Sequence, residues 1–233
     1  MRTTVPAAAL LALLTACGAP PPAAADGLTA TLTSPVDVTL RWPAAEPGAA
    51  GQIVEFATDA AGPWTILAFL PADARAYDHP DLMPETTFHY RVRPLRGEAS
   101  PVVDVRLPPA GADEPAADTD LGWADPRTEP ARNTGAPRPG GAPTGLAATV
   151  MTRDAVRFTW SDNAAGEDGQ LLEVLPAGAA AWTVAMAVDP DVNAVGLMTL
   201  ATERRASFRV RAVTYGPASP VVRARTGRAP GDS

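Results

Sequence analysis

The chain has 233 residues with 19 cations and 26 anions, a net charge of −7 and a pI near 4.8, and every cation is arginine. That acidity argues against nucleic acid as a partner and against electrostatic docking on anionic lipid, since both need a basic patch. A single cysteine excludes an intrachain disulfide and a cysteine-built zinc centre.

The N-terminus reads as an address. Met1-Arg2-Thr3-Thr4 is a short cationic start, and Val5 to Leu14 is an apolar run too short to span a bilayer. It ends in Leu14-Thr15-Ala16-Cys17, which resembles the lipobox of bacterial lipoproteins. The resemblance implies cleavage before Cys17, a diacylglycerol thioether on its sulfur and acylation of its new amine. Two or more acyl chains hold a protein to a membrane durably where one does not. The membrane is thus the first expected partner, with the chain on the exported side of a bacterial envelope. Gly18, where an Asp would signal inner-membrane retention, favours the outer membrane of a Gram-negative cell. Residues 1–16 are expected to be the signal peptide and 17–26, with Pro20-Pro21-Pro22, a tether.

From Gly27 the chain says the same thing twice. Adding 118 to each number carries Trp42 to Trp160, Gly51-Gln52 to Gly169-Gln170, Glu55 to Glu173 and Trp64-Thr65 to Trp182-Thr183. Tyr90-Arg91-Val92-Arg93 becomes Phe208-Arg209-Val210-Arg211. One extra residue then enters, so Ala99-Ser100-Pro101 matches Ala218-Ser219-Pro220 at an offset of 119. Two copies of one small domain, 27–108 and 143–227, are the expected core.

In the first copy, Val36, Val38, Leu40 and Trp42 alternate with Asp37, Thr39 and Arg41, the period of a half-buried strand. Gln52 to Phe56 predicts a second strand. Trp64, Ile66, Ala68 and Leu70 alternate again up to Pro71. Phe88, Tyr90 and Val92 oppose His89, Arg91 and Arg93, and Pro101 to Leu107 predicts a last, edge-like strand. Val156, Phe158 and Trp160, then Trp182, Val184, Met186 and Val188, then Phe208 and Val210 repeat the inward faces, and Pro220 to Thr226 is expected to close the second sheet. Frequent turn signals with no competing helical period predict an all-β, antiparallel fold.

Leu82-Met83-Pro84-Glu85-Thr86-Thr87-Phe88-His89-Tyr90-Arg91-Val92-Arg93 resembles a late-strand region of fibronectin type III domains, and Trp42 stands where that family keeps its core tryptophan. In the second copy, Trp160-Ser161-Asp162-Asn163…Glu167-Asp168-Gly169 is similar to a loop common in bacterial members. The resemblance covers both repeats and implies two immunoglobulin-like (fibronectin type III) antiparallel β-sandwiches. The family's corner tyrosine is Phe88 in one copy and Ala206 in the other, so both lose its hydrogen bond. Arg96-Gly97-Glu98 falls where some animal members carry Arg-Gly-Asp, and the longer acid breaks that match.

Residues 109–142 are rich in Pro, Gly and Ala with six acids, and lack the apolar period that would offset ordering entropy. They are expected to be a flexible linker holding the domains as beads on a string. Trp123 is the exception, expected to pack back on a domain or meet a partner. Residues 228–233 read as a frayed tail.

No catalytic set emerges. His79 and His89 are the only histidines, no Gly-x-Ser-x-Gly elbow is present, and no phosphate-cradling glycine loop appears. No cofactor is expected. Asp162, Asn163, Glu167 and Asp168 share one loop and form a calcium candidate, although Asp and Asn are also ordinary turn formers. Glu55 and Glu173 are expected to pair across strands with the Arg91/Arg93 and Arg209/Arg211 runs. Tyr215 and Trp123 are the candidate contact residues for an unidentified protein or glycan. The sequence thus points to a non-enzymatic, lipid-anchored spacer or interaction protein. The alternative is an accessory or enzymatic part in polysaccharide or peptidoglycan processing.

Overall fold

A computed structural model describes residues 27–43, 46–108 and 122–228. The signal peptide, the tether with Cys17, residues 109–121 of the linker and the last five residues lie outside the described residues. The pairs between named strands are all antiparallel, and two short 3-10 turns complete the described residues.

The first repeat contributes β1 (Thr29–Ser34), β2 (Asp37–Arg41), β3 (Gly51–Ala57), β4 (Thr65–Leu70), β5 (Ala76–His79), β6 (Thr87–Arg96) and β7 (Val103–Arg106). The second contributes β8 (Thr144–Thr152), β9 (Ala155–Ser161), β10 (Gly169–Pro176), β11 (Thr183–Val188), β12 (Ala194–Met198), β13 (Arg205–Tyr215) and β14 (Val222–Arg225). In each repeat a three-stranded sheet, β1-β2-β5 or β8-β9-β12, faces the sheet built on β4-β3-β6 or β11-β10-β13. The alternating faces meet between them. Val38, Leu40 and Trp42 pack on Val54, Phe88, Tyr90 and Val92, while Val156, Phe158 and Trp160 pack on Leu172, Val174, Phe208 and Val210.

The last strand of each repeat departs from expectation. β7 does not close its own sheet but pairs with β13, Val105 opposite Ala206 and Asp104 opposite Ser207. β14 crosses the other way and pairs with β6, Ala224 opposite Phe88 and Arg223 opposite His89. Each repeat therefore buries a strand that belongs to the other. Val105 and Leu107 lie in the second core, and Ala224 lies in the first. The exchange is reciprocal in detail. Ser100 N donates to Val210 O at 2.7 Å and Ser100 Oγ accepts from Val210 N at 3.0 Å. Ser219 makes the same pair with Val92, at 2.8 and 3.1 Å. Arg96 pairs with Thr214, its own counterpart in the repeat, so a local twofold axis passes there.

Gly97 makes the crossing possible. Its φ is +140°, and a Cβ there would lie 1.9 Å from the Ala212 carbonyl oxygen. This backbone requirement accounts for the glycine of Arg96-Gly97-Glu98.

A third core forms between the repeats from Ile53, Leu95, Leu171 and Val213, with Phe69 and Tyr215 packed against it. The picture of independent beads is thus corrected: the repeats share strands, a ladder contact and a core. The linker is corrected too. Residues 122–142 are ordered against the second repeat, where Arg127 bridges Ala194 on the outer edge of β12 and Arg138 bridges Ala164. Backbone pairing and polar anchors supply what the missing apolar period could not.

The exchange predicts a specific cross-link. In a Cys17→Ser background, Asp104→Cys with Ser207→Cys should oxidise to one intrachain disulfide, seen as a mobility shift on non-reducing gels. Asp104→Cys with His89→Cys, the partner in an unexchanged sheet, should not. The reverse pattern would show that each repeat closes on itself.

Candidate functional site

Three polar assemblies stand out from the apolar frame. The first lies along the seam. Arg91 Nε meets Glu55 at 2.5 Å, and Arg209 and Arg211 both engage Glu173, Arg211 at 3.1 Å. The predicted cross-strand pairing is therefore present in both copies. Each outer arginine also stacks on a tryptophan, Arg91 over Trp64 at 4.2 Å and Arg209 over Trp182 at 4.1 Å. The inner arginines reach into the other repeat. Arg211 Nη1 donates to Gly97 O at 2.6 Å, while Arg93 donates to Gly216 O at 2.8 Å and Tyr215 O at 3.0 Å. Conserving this arginine in both copies of the repeat serves to hold the crossing segments.

Tyr215 belongs to this seam. It pairs with Leu95 at the end of β13, lies under the Arg93 guanidinium and packs on the inter-repeat core. Burial raises its phenol pKa, the Asp168 and Glu55 charges push the same way, and Arg93 opposes them. Its geometry is that of an internal joint.

The second assembly seats the linker. Asn193 is fully buried on the β12 side of the second repeat. Its amide accepts from Glu129 N at 2.7 Å and donates to Glu129 O and Asn133 Oδ1, both at 3.0 Å. The Glu129 carboxylate takes Arg127, Arg132 and Arg157 together. The hydrogen bond from Arg132 holds its pKa low, helped by Arg127 and the Arg157 charge against a desolvation cost. Trp123 closes the seat by lying over Gly196, where a Cβ would come within 2.6 Å of its ring. On the first repeat the counterpart of Gly196 is Asp78, which instead accepts from Thr39 Oγ1 at 2.6 Å. A charged side chain there guards the matching edge strand, β5.

The third assembly is acidic. Asp162, Glu167 and Asp191 each place a carboxylate oxygen within 4.8 Å of the others. Burial holds the Asp162 carboxyl above its ordinary range, with Glu167 and Asp191 acting the same way against donation from Ala164 and Gln170. The sequence-based calcium set is therefore divided. Asn163 turns away to donate to Ala142 O at 2.8 Å and Thr144 Oγ1 at 2.9 Å, and Asp168 accepts from Tyr215 N at 2.6 Å. Asp191 was missed because it lies some two dozen residues downstream, brought in by a left-handed turn at φ +63°. Gln170 was also missed, although the matched Gly-Gln pair marked it.

The histidines sit apart from these. His79 lies in an aromatic cluster with Phe56, Tyr77, Phe88 and Tyr90, its Nδ1 3.2 Å from the Tyr90 hydroxyl, and burial lowers its pKa.

No family profile and no curated protein matches the chain. Solved structures similar to this chain include fibronectin type III proteins. An Fn3-like protein from Clostridium thermocellum is 29% identical over 29% of this chain and 70% of its own, with a TM-score of 0.27. A two-domain segment of chicken tenascin is 11% identical, covering 85% of this chain and 98% of its own, at 0.27. The FN1–FN3 domains of chicken CNTN1 are 19% identical, covering 91% and 69%, at 0.28. The all-β, two-layer reading rests on the strand order and cores described above.

Replacing Asn193 tests the linker seat. Asn193→Ala removes the amide bonds to Glu129 and Asn133, and should cost about 2–3 kcal/mol of stability with a red-shifted tryptophan emission as Trp123 loses its seat. Unchanged emission and melting temperature would mean that the linker is held by something else.

Proposed function

We propose that this protein is a lipid-anchored envelope component whose joined repeats act as a non-enzymatic spacer and interaction module. The observation that carries the reading is Leu14-Thr15-Ala16-Cys17, followed at once by a Pro/Ala tether and then by the duplicated domain. Acyl chains on Cys17 would fix one end at the membrane surface. The exchange of β7 and β14 supports a spacer role, because two repeats that share strands transmit a displacement from one to the other instead of bending at a free linker. Their resemblance in sequence to fibronectin type III domains fits modules that hold and touch. The partner is a protein or glycan of the envelope, and the anchor favours the outer membrane.

Cys17→Ser should move the protein from the detergent-soluble membrane fraction to the aqueous fraction and abolish incorporation of labelled palmitate. Membrane association that survives Cys17→Ser would contradict the anchor. Turnover of a peptidoglycan, polysaccharide or ester substrate by the purified chain would contradict the non-enzymatic role.

A further inference from the structure

Tyr215 shows what one side of the joint between the repeats is shaped to hold. The Arg93 guanidinium carbon lies 5.4 Å from its ring centre, and the ring packs on the core of Ile53, Leu95, Leu171 and Val213. The Tyr215 carbonyl accepts from Arg93, just as the Gly97 carbonyl accepts from Arg211. Tyr215 and Gly97 are therefore equivalent across the local twofold, at the same offset of 118 that relates the repeats. Gly97 brings no ring to its own side. The crossing backbone forbids one, since a Cβ there would lie 1.9 Å from the Ala212 carbonyl oxygen.

On the Gly97 side a cleft of about 230 Å³ opens between the repeats. Phe69, Leu70 and Leu95 of the first repeat line it, with Leu171, Trp182 and Arg211 of the second. The repeat offset carries this lining onto the surroundings of Tyr215: Leu95 onto Val213, Leu171 onto Ile53 and Arg211 onto Arg93. Glu173, also in the lining, maps onto Glu55, whose charge acts on the Tyr215 phenol. The cleft is thus the twin of the seat that Tyr215 fills. Its differences from the twin suit a less polar ring. Ala50 stands on the rim where the twin has Asp168, the acid that accepts from Tyr215 N, and Phe69 stands where the twin has Ala187. The arginines differ to match. Arg93 lies over Tyr215 while Arg91 pairs with Glu55, whereas Arg211 joins Arg209 on Glu173 at 3.1 Å.

We infer that this cleft receives one phenylalanine side chain from a partner polypeptide, seated against Leu95, Leu171 and Arg211 as Tyr215 is seated against Val213, Ile53 and Arg93. An apolar cavity of about 150 Å³ holds a benzene ring, so the volume suffices. Burial of the ring supplies most of the affinity, and Phe69, Trp182 and the Arg211 guanidinium add aromatic and cation–π contacts. Ala50 in place of Asp168 makes the rim less polar, which favours phenylalanine over tyrosine. Both repeats build the seat, so the ring is bound only while they are joined. The inference rests on the interaction role proposed above and deepens it, but does not depend on lipid anchoring.

The probe is N-acetyl-phenylalaninamide, titrated into the full chain in detergent with its five tryptophan indoles isotope-labelled for NMR. The Trp182 indole signal, assigned by Trp182→Phe, should shift with half-saturation on the order of 1 mM, ordinary for a ligand of this size, while the other four stay still. N-acetyl-leucinamide should bind roughly tenfold more weakly. Ala181→Phe, at an exposed position on the rim, should plug the cleft and abolish the shift, whereas Ala179→Phe, exposed and outside it, should not. Tyr215→Ala should open the twin seat, so that the Trp64 indole responds as well. Dispersion of the indole signals reports folding in each variant, and if Tyr215→Ala does not fold, the Ala181→Phe and Ala179→Phe pair still decides. No shift at Trp182, an equal response to the leucine probe or to N-acetylglucosamine, or a shift that survives Ala181→Phe would each overturn the cleft. Such a failure leaves the interaction role standing, because that role fails only if cross-linking in the envelope captures no partner on any face.

Discussion

Ser100 and Ser219 each lay a backbone N–H and a side-chain oxygen on a valine of the opposite repeat, and the architecture follows from that reciprocal pair. Once the chain runs straight through Ser-Pro instead of turning back, the next strand can only pair with the neighbour's free edge. A sheet of three strands on one side would expose its last edge to other chains. Exchanging β7 and β14 covers both edges at once, and brings β6 and β13 close enough to pair at Arg96 and Thr214. The third core of Ile53, Leu95, Leu171 and Val213 is a consequence. So is the use of Arg93 and Arg211 as clasps on the crossing backbone.

Around this symmetric centre the repeats diverge, and the divergence is concentrated in the second. There the linker lies along β12, Glu129 gathers three arginines, and the loop after Trp160 carries buried acids. The first repeat keeps Asp78 on the matching strand and alanines in the matching loop. One copy is therefore a plain sandwich placed next to the tether. The other carries an additional segment on its surface.

Much of this was legible in the residues. Period-two alternation gave the strands and their inward faces, and the duplicated tryptophans marked both cores. Strand partners were not legible. Val103 and Val105, like Val222 and Ala224, specify which face is buried but carry no address, and two nearly identical edges accept either strand equally well. A signal for the inter-repeat core did exist. Ile53-Val54 and Leu171-Leu172 are adjacent apolar pairs where a half-solvated strand would alternate, and strands buried on both faces read that way. The linker escaped for a different reason. Its order rests on single polar anchors, Asn193, Glu129 and Asn133, and composition weighs such residues toward disorder. The place of Tyr215 over the inter-repeat core follows from the strand exchange, which its own residue neighbours do not encode.

Mutual completion makes one thermodynamic demand, namely that neither repeat can unfold while the other keeps its borrowed strand. Differential scanning calorimetry of the full chain measures this directly, by comparing the calorimetric enthalpy with the van't Hoff enthalpy. Reciprocal exchange predicts a single transition with the two enthalpies equal. Two resolved transitions, or a calorimetric enthalpy about twice the van't Hoff value, would mean that the repeats fold as separate units and that the exchange does not hold them together.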